Sequence, residues 1–505
     1  MSFNSSVFAA FILVVGLTLA IFNTKPFLKP ERAATTARLR RLVLLIASYV
    51  FCGWFDWRFC VALAGTTAVV YFCALGVARG KRPKLWLRLG VVLPLLTLAV
   101  FKYFNFFLAS IAAALSIDVG ALGTLQLILP IGISFYVFQA ISYVVDVSRG
   151  KVEASSDFVK VALYLAFFPR LVSGPIVKAA YFFPQLEENR NVGLKNLEIG
   201  VQIFAFGLFK KIVIADRLGA FVDAVFAVPN AFHGSVATLA VACYALQIYF
   251  DFSGYSDMAV GVAKGLGYDL PRNFNLPYLS RNPSEFWKRW HISLSSWLLE
   301  YLYIPLGGSR KGKLRAHVNL LTTMVLSGLW HGASWTFVAW GATHGAALCV
   351  HKIFKNWRGE RKPAANPSAI SKAVGGVATL GAIFGTFVWT AVCWILFRAP
   401  TFSDARDIFC RMFVWDGGIY RFCGWAPIFA TILLGASVVA YVEYRKRCAA
   451  ASPEELEKLR KTGVDGFYPL LDLTKLSHLT IFVSFVYFTF GFARFGDAAF
   501  VYAQF

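Results

Sequence analysis

The segment GLWHGASW, residues 328–335, sets an imidazole, His331, inside the mostly apolar run VNLLTTMVLSGLWHGASWTFVAWGATHG, whose only other titratable side chain is His344. An ionisable ring at bilayer depth is expensive, so it is a functional candidate. Imidazole changes charge near neutral pH, which suits it to accept and return a proton. A second histidine, His291, lies upstream in FWKRWHISLS. The bland alternative is a ring bonded to a backbone carbonyl with no reaction to run. His344 comes thirteen residues after His331. At about 100° per residue it falls on nearly the opposite side of one straight helix, so the two meet only if that helix breaks. Gly328 and Gly332 flank His331 and leave room for a neighbouring backbone or a ligand. No third ligand has suitable spacing, so no metal is expected.

The elements that must position these rings are partly readable. Asn282, Pro283 and Glu285 make an N-cap, a first-position proline and an acidic third residue, so a helix starts at 283. Trp287, Trp290, Leu294, Leu298 and Tyr301 recur along it at helical steps, and Lys288, Arg289, Ser293, Ser296 and Glu300 mostly take the other side. This predicts one amphipathic aromatic helix at a membrane interface or over a bundle, with His291 on its inward stripe. Pro305, Gly307 and Gly308 end it. The loop after them carries Arg310, Lys311, Lys313 and Arg315, which serve as a topological anchor or attract lipid heads or donor phosphates. In YFDFSGYSDMAVG, Asp251 and Asp257 suggest a polar site or ion-pair partners, and Gly254, Gly261 and Gly265 suggest close helix packing. Pro169, Gly174 and Pro175 interrupt LYLAFFPRLVSGPIVKAAYFFPQL, giving either a broken helix beside a cavity or a kinked one.

The whole chain is built for lipid. Of its 505 residues 58% are hydrophobic and 15% charged, where soluble domains carry about 25% charged residues. Apolar runs of spanning length recur throughout, roughly ten to twelve of them. The expected fold is all-α, a polytopic membrane protein with re-entrant and interfacial helices around a central tunnel. It is read as one integral domain over 1–505, with N-terminal spans in 1–125, a catalytic core in 126–355 and C-terminal spans in 356–505. MSFNSSV carries no charge, so the first apolar run is read as a retained span, not a cleaved leader. The net charge of +23 gathers at 25–41, 78–88, 307–315, 351–362 and 444–448. These basic loops flank spans, which places them in the cytoplasm and both termini outside, and argues against nucleic acid as partner. Nine scattered cysteines form no disulfide framework.

RNPSEFWKRWHISLSSWLLEYLYIPLGGSRKG and the His331 segment resemble the membrane-bound O-acyltransferases, as do SFYVFQAISYVVDVSRG, FFPRLVSGPI, FGLFKKIVIADRLG, YFDFSGYSDMAVG and the terminal AAFVYAQF. The nearest likeness is to the bacterial branch that contains the alginate O-acetyltransferase membrane subunit, and it runs from about residue 40 to the end. The resemblance implies an enzyme of the bacterial inner membrane with its catalytic histidine deep in a tunnel. His331 matches that histidine. His291 matches a second signature position, which is Asn in many eukaryotic relatives. Acetyl-CoA is the implied donor, with no permanently bound cofactor, entering beside GGSRKGKLR. The implied acceptor route is an extracytoplasmic SGNH-type partner and then a polysaccharide, outside the lipid bilayer. In this reading His331 is the base. His291, the Trp330 N–H or Ser334 steadies the developing oxyanion, and Asp257, Trp287, Trp290 and His344 are further tunnel candidates. Two other readings compete: D-alanyl transfer from a carrier protein toward teichoic acid, and a proton-coupled transporter. The D-alanyl relatives tend to be shorter, and a transporter would bring inverted repeats, of which the sequence shows no trace.

Overall fold

The computed structural model describes residues 1–24, 27, 29–117, 128–188, 193–359, 369–415, 417–418 and 471–493. Every regular element among them is helical. In chain order they are α1 (Ser6–Ile21), α2 (Ala33–Gly53), α3 (Trp57–Arg79), α4 (Pro83–Leu98), α5 (Phe104–Leu115), α6 (Ile133–Ser148), α7 (Phe158–Ala166), α8 (Phe168–Leu171), α9 (Ala179–Glu187) and α10 (Leu194–Phe209). Then follow α11 (Asp216–Ala227), α12 (Gly234–Gly265), α13 (Pro283–Arg289), α14 (Ile292–Leu298), α15 (Lys313–His331), α16 (Trp335–Arg358), α17 (Ala369–Arg398), α18 (Phe402–Arg411) and α19 (Leu476–Gly491). Wider π-helical turns join α4 to α5 at Ala99–Tyr103 and α10 to α11 at Lys210–Ala215.

Among the described residues four helical stretches are long and apolar enough to cross a bilayer: Trp57–Arg79, Pro83–Leu115, Gly234–Gly265 and Val374–Arg398. Ser6–Ile21, Ile133–Ser148 and Leu476–Gly491 are shorter apolar helices. The chain is a polytopic helical membrane protein. The basic loop at 444–448, the spans expected around it and the aromatic terminus after 493 lie outside the described residues.

The described residues fall into two compact units, one drawn from 1–208, 255–271 and 470–482, the other from 209–254, 272–469 and 483–505. In the first, α3, α4 and α6 meet at Gly90, where an added Cβ would stand 2.8 Å from a Val144 methyl and 3.0 Å from the Cys73 Cβ. Gly200 and Gly261 let α10 and the end of α12 touch backbone to backbone, since a Cβ at 200 would lie 2.6 Å from the Gly261 carbonyl oxygen. The proline-interrupted segment is a true break: α7 stops at Ala166, one turn spans Phe168–Leu171, and the chain stays non-helical to Lys178. Arg170, in that turn, is fully buried. Its guanidinium donates to the Tyr164 carbonyl and packs against the rings of Tyr164 and Phe182.

In the second unit the amphipathic helix expected from 283 onward is not continuous. It begins as the sequence predicts, with the Asn282 side chain accepting the Glu285 N–H at 2.9 Å. It ends at Arg289: Trp290 is extended, His291 is left-handed at φ 41°, and α14 starts at Ile292. The cause lies elsewhere in the chain. The Ile292 N–H donates to the Asn273 carbonyl at 2.8 Å and the Asn275 N–H to the Arg289 carbonyl at 2.9 Å. The Ser293 hydroxyl, placed by periodicity on the outer face, is buried and donates to the Asn273 side chain at 2.6 Å. Residues 273–275 thus take up backbone groups that a continuous helix would have paired within itself.

Candidate active site

His331 is the last residue of α15. Gly332 turns extended at φ −159° and ψ 149°, and Ser334 caps α16 by accepting the Thr336 N–H at 3.3 Å. The break that would let His331 and His344 share one surround is therefore present. The two helices fold back on each other at van der Waals contact. A Cβ on Gly328 would lie 2.2 Å from the Phe337 carbonyl oxygen, and one on Gly341 would lie 2.2 Å from that of Met324. The space beside Gly328 and Gly332 is filled by α16 itself: a Cβ on Gly332 would strike the Phe337 ring.

This packing builds a run of rings. His291 touches Phe252 at 4.7 Å between centroids and Trp330 at 6.2 Å. Trp330 touches His331 at 4.9 Å, His331 touches Trp340 at 5.0 Å, and Trp340 touches His344 at 5.0 Å. Trp287 closes the far end, 5.8 Å from Trp340 and 5.2 Å from His344. Phe397 packs on His331 at 5.4 Å, and Trp394 stacks on Trp340 at 5.5 Å and touches Trp290 at 4.9 Å. The three imidazoles are 0–3% exposed. His331 ends α15, His291 sits in the break before α14 and His344 lies within α16; three buried imidazoles among indoles can exchange protons with a guest shielded from bulk water.

Of the residues singled out in the sequence, His291, His331, His344, Trp287, Trp290 and Trp330 come together here. Ser334 has its hydroxyl engaged in the cap, with Thr336 Oγ1 also 3.0 Å away. Asp257 is buried but belongs to the other compact unit. Arg310, Lys311, Lys313 and Arg315 are exposed around the first turn of α15. That helix has 19 residues, which puts this basic turn about 27 Å from His331 along the axis.

Sequence reading did not pick out Trp340, Trp394, Phe397 or Phe252. Trp340 carried a local signal, lying one helical turn before His344; the other three are brought in by folding. It also missed Lys211, which is buried on the π-helical turn between Asp216 at 2.8 Å and Asp251 at 2.6 Å. Asp251 is thus an ion-pair partner. Among the described residues no group of three His, Cys, Asp or Glu side chains comes together to hold a metal ion.

Fold and site together define an integral-membrane protein with a buried cluster of histidines and indoles. The model of the membrane-bound O-acyltransferase family matches residues 50–393. The chain is 37% identical to a probable alginate O-acetylase of Azotobacter vinelandii, over 88% of this chain and 85% of the relative. It is 34% identical to a peptidoglycan O-acetyltransferase of Helicobacter pylori, over 80% of each. A teichoic acid D-alanyltransferase of Streptococcus thermophilus is 30% identical over 45% of this chain and 58% of its own length. This chain belongs to the membrane-bound O-acyltransferase family and is an O-acyltransferase.

Proposed function

We propose that the protein moves an acetyl group from a cytoplasmic thioester, acetyl-CoA, into the O-acetylation of an extracytoplasmic polysaccharide, with His331 as general base. The observation that carries this reading is the position of His331: a buried imidazole where α15 stops, walled by Trp330, Trp340 and Phe397. The extended likeness to relatives named for alginate and peptidoglycan O-acetylation supports acetyl as the group and a polysaccharide as the final acceptor. The D-alanyl relative matches less than half of the chain.

A hydroxyl is a weak nucleophile until its proton leaves. His331 takes that proton as the acceptor oxygen forms its bond to the acyl carbon. The tetrahedral intermediate then collapses, the carbon–sulfur bond breaks, and the departing thiolate takes the proton back from His331. The base is regenerated and no further reactant is consumed. Arg310, Lys311, Lys313 and Arg315, at the positive end of the α15 dipole, suit the donor's phosphates. Basic loops in the cytoplasm and both termini outside fit this direction of transfer. An exported SGNH-type protein is the proposed first acceptor, since the acetyl group must still travel to the polymer.

The test is acetyl transfer from labelled acetyl-CoA by the purified protein in nanodiscs, with the exported partner supplied, wild type beside His331→Ala. Label reaching the partner with wild type and lost in the variant is expected. Full transfer by a well-folded His331→Ala would sink the assignment. Label accepted only from an acylated carrier protein would replace the donor.

A further inference from the structure

We propose that Trp287, Trp340 and His344 form the donor set that holds the carbonyl oxygen of the acyl group during transfer, an inference that rests on the acyl-transfer reading above. The Nε1 atoms of both tryptophans and Nε2 of His344 are buried and have no hydrogen-bond partner among the described residues. Buried indole N–H groups ordinarily find an acceptor, and leaving one unmade costs free energy. Their neighbour Trp394 obeys the rule: its Nε1 donates to the Tyr278 hydroxyl at 3.0 Å, which donates in turn to the Ala245 carbonyl at 2.6 Å. Trp290 Nε1 is unpartnered among the described residues too, but its ring meets Trp394 instead, whereas Trp287, Trp340 and His344 are mutual neighbours. Trp287, Trp340 and His344 form a triangle of ring contacts at 5.8, 5.2 and 5.0 Å, and Trp340 also touches His331.

Donors without acceptors, one ring away from a base, call for a guest that brings oxygen and little else that is polar. A thioester carbonyl fits. Its oxygen is a modest acceptor in the ground state and carries a full negative charge once the acceptor oxygen has added, so the hydrogen bonds strengthen as the barrier is climbed. The electron pair of the carbonyl double bond moves onto that oxygen when the new carbon–oxygen bond forms, and returns as the carbon–sulfur bond breaks. His344 serves with its proton on Nε2, the tautomer this role requires.

The experiment compares Trp287→Phe and Trp340→Phe, which keep a ring and lose the N–H, with His344→Gln, which keeps a side-chain N–H, and His344→Leu, which does not. Each is assayed in nanodiscs for acetyl transfer from acetyl-CoA, with its melting temperature measured alongside. Loss of one donor should lower kcat by about a hundredfold or more, with little change in KM or melting temperature, and His344→Gln should recover part of what His344→Leu loses. Infrared spectra of acetyl-CoA labelled with carbon-13 at the carbonyl, bound to His331→Ala, give a readout free of turnover. The carbonyl stretch should lie below its solution frequency and move back when Trp340→Phe is added. Unchanged kcat in an active background, activity lost only in step with melting temperature, or a carbonyl stretch at its solution value would overturn the donor set and leave the acetyl-transfer reading standing. A wild-type protein that transfers no acyl group would overturn both.

Discussion

The indole of Trp340 stands between two imidazoles, its ring centroid 5.0 Å from that of His331 and 5.0 Å from that of His344, at interplanar angles of 90° and 66°. His331 ends α15, whereas Trp340 and His344 lie one turn apart on α16. The relation between the rings is therefore set by how closely two helices approach.

That approach depends on glycine. Gly341→Ala would place a methyl 2.2 Å from the Met324 carbonyl oxygen, a backbone atom that cannot swing aside. A loss of about 1–3 kcal/mol is expected, with a fall in transfer because α15 carries His331. Gly345→Ala should be milder, since its closest neighbour is a Leu321 side-chain methyl at 2.9 Å. Thermal unfolding in detergent and transfer assays on the pair check the order.

Lys211 is expected to be more costly to lose than a surface lysine. It joins two buried carboxylates, Asp216 and Asp251, and Lys211→Met removes the cation between them, at about 3–5 kcal/mol. Neutralising the partners as well, in Lys211→Met/Asp216→Asn/Asp251→Asn, should recover much of that. Melting temperatures of the single and triple variants decide it: equal losses would show that the charges are not what matters.

The left-handed backbone of His291, φ 41° and ψ 55°, sorts its substitutions by conformation. Asn tolerates this region, and a β-branched residue does not. His291→Asn should fold normally, while His291→Val should lose about 1–3 kcal/mol. Yield and melting temperature of the two proteins provide the check.

Glu285 ties the start of α13 to two arginines, accepting from Arg281 at 3.0 Å and from Arg289 at 2.6 Å. Burial pushes its carboxyl up, but the Arg281 backbone and both guanidinium groups outweigh that and hold it below the usual carboxylate range. A lowered folded value means that the contribution is whole above the unfolded pKa of about 4.3 and fades as pH falls through the folded value. Glu285→Gln should remove that part of the acid sensitivity, which melting temperatures between pH 7 and pH 3 would reveal.

What could be read in advance was local. The Asn282 cap, an interruption at Pro169–Pro175 and the burial of His331 each follow from neighbours within a turn or two; the structure shows all three and resolves the interruption, left open between break and kink, as a break. The interruption at Trp290 and His291 was invisible because its cause, residues 273–275, competes for the backbone from outside the helix. The apolar spacing was right that Trp287, Trp290, Leu294 and Leu298 go inside, but wrong about Ser293, which is buried too, and about the path between them. Trp394 and Phe397 come from a helix far along the chain, and no periodicity ties them to His331. Lys211 read as one cation among fifty, and only the folded chain shows it held by two acids.

The length of α15 has a consequence for any donor with a highly charged head. A bilayer's hydrocarbon layer is about 30 Å deep, and this helix, with its cations at one end and its imidazole at the other, spans about 27 Å. On the donor reading proposed above, this helix acts as a spacer: phosphates held at the basic turn would stay with its cations, and only an uncharged arm would have to cover the remaining distance to the reacting carbon.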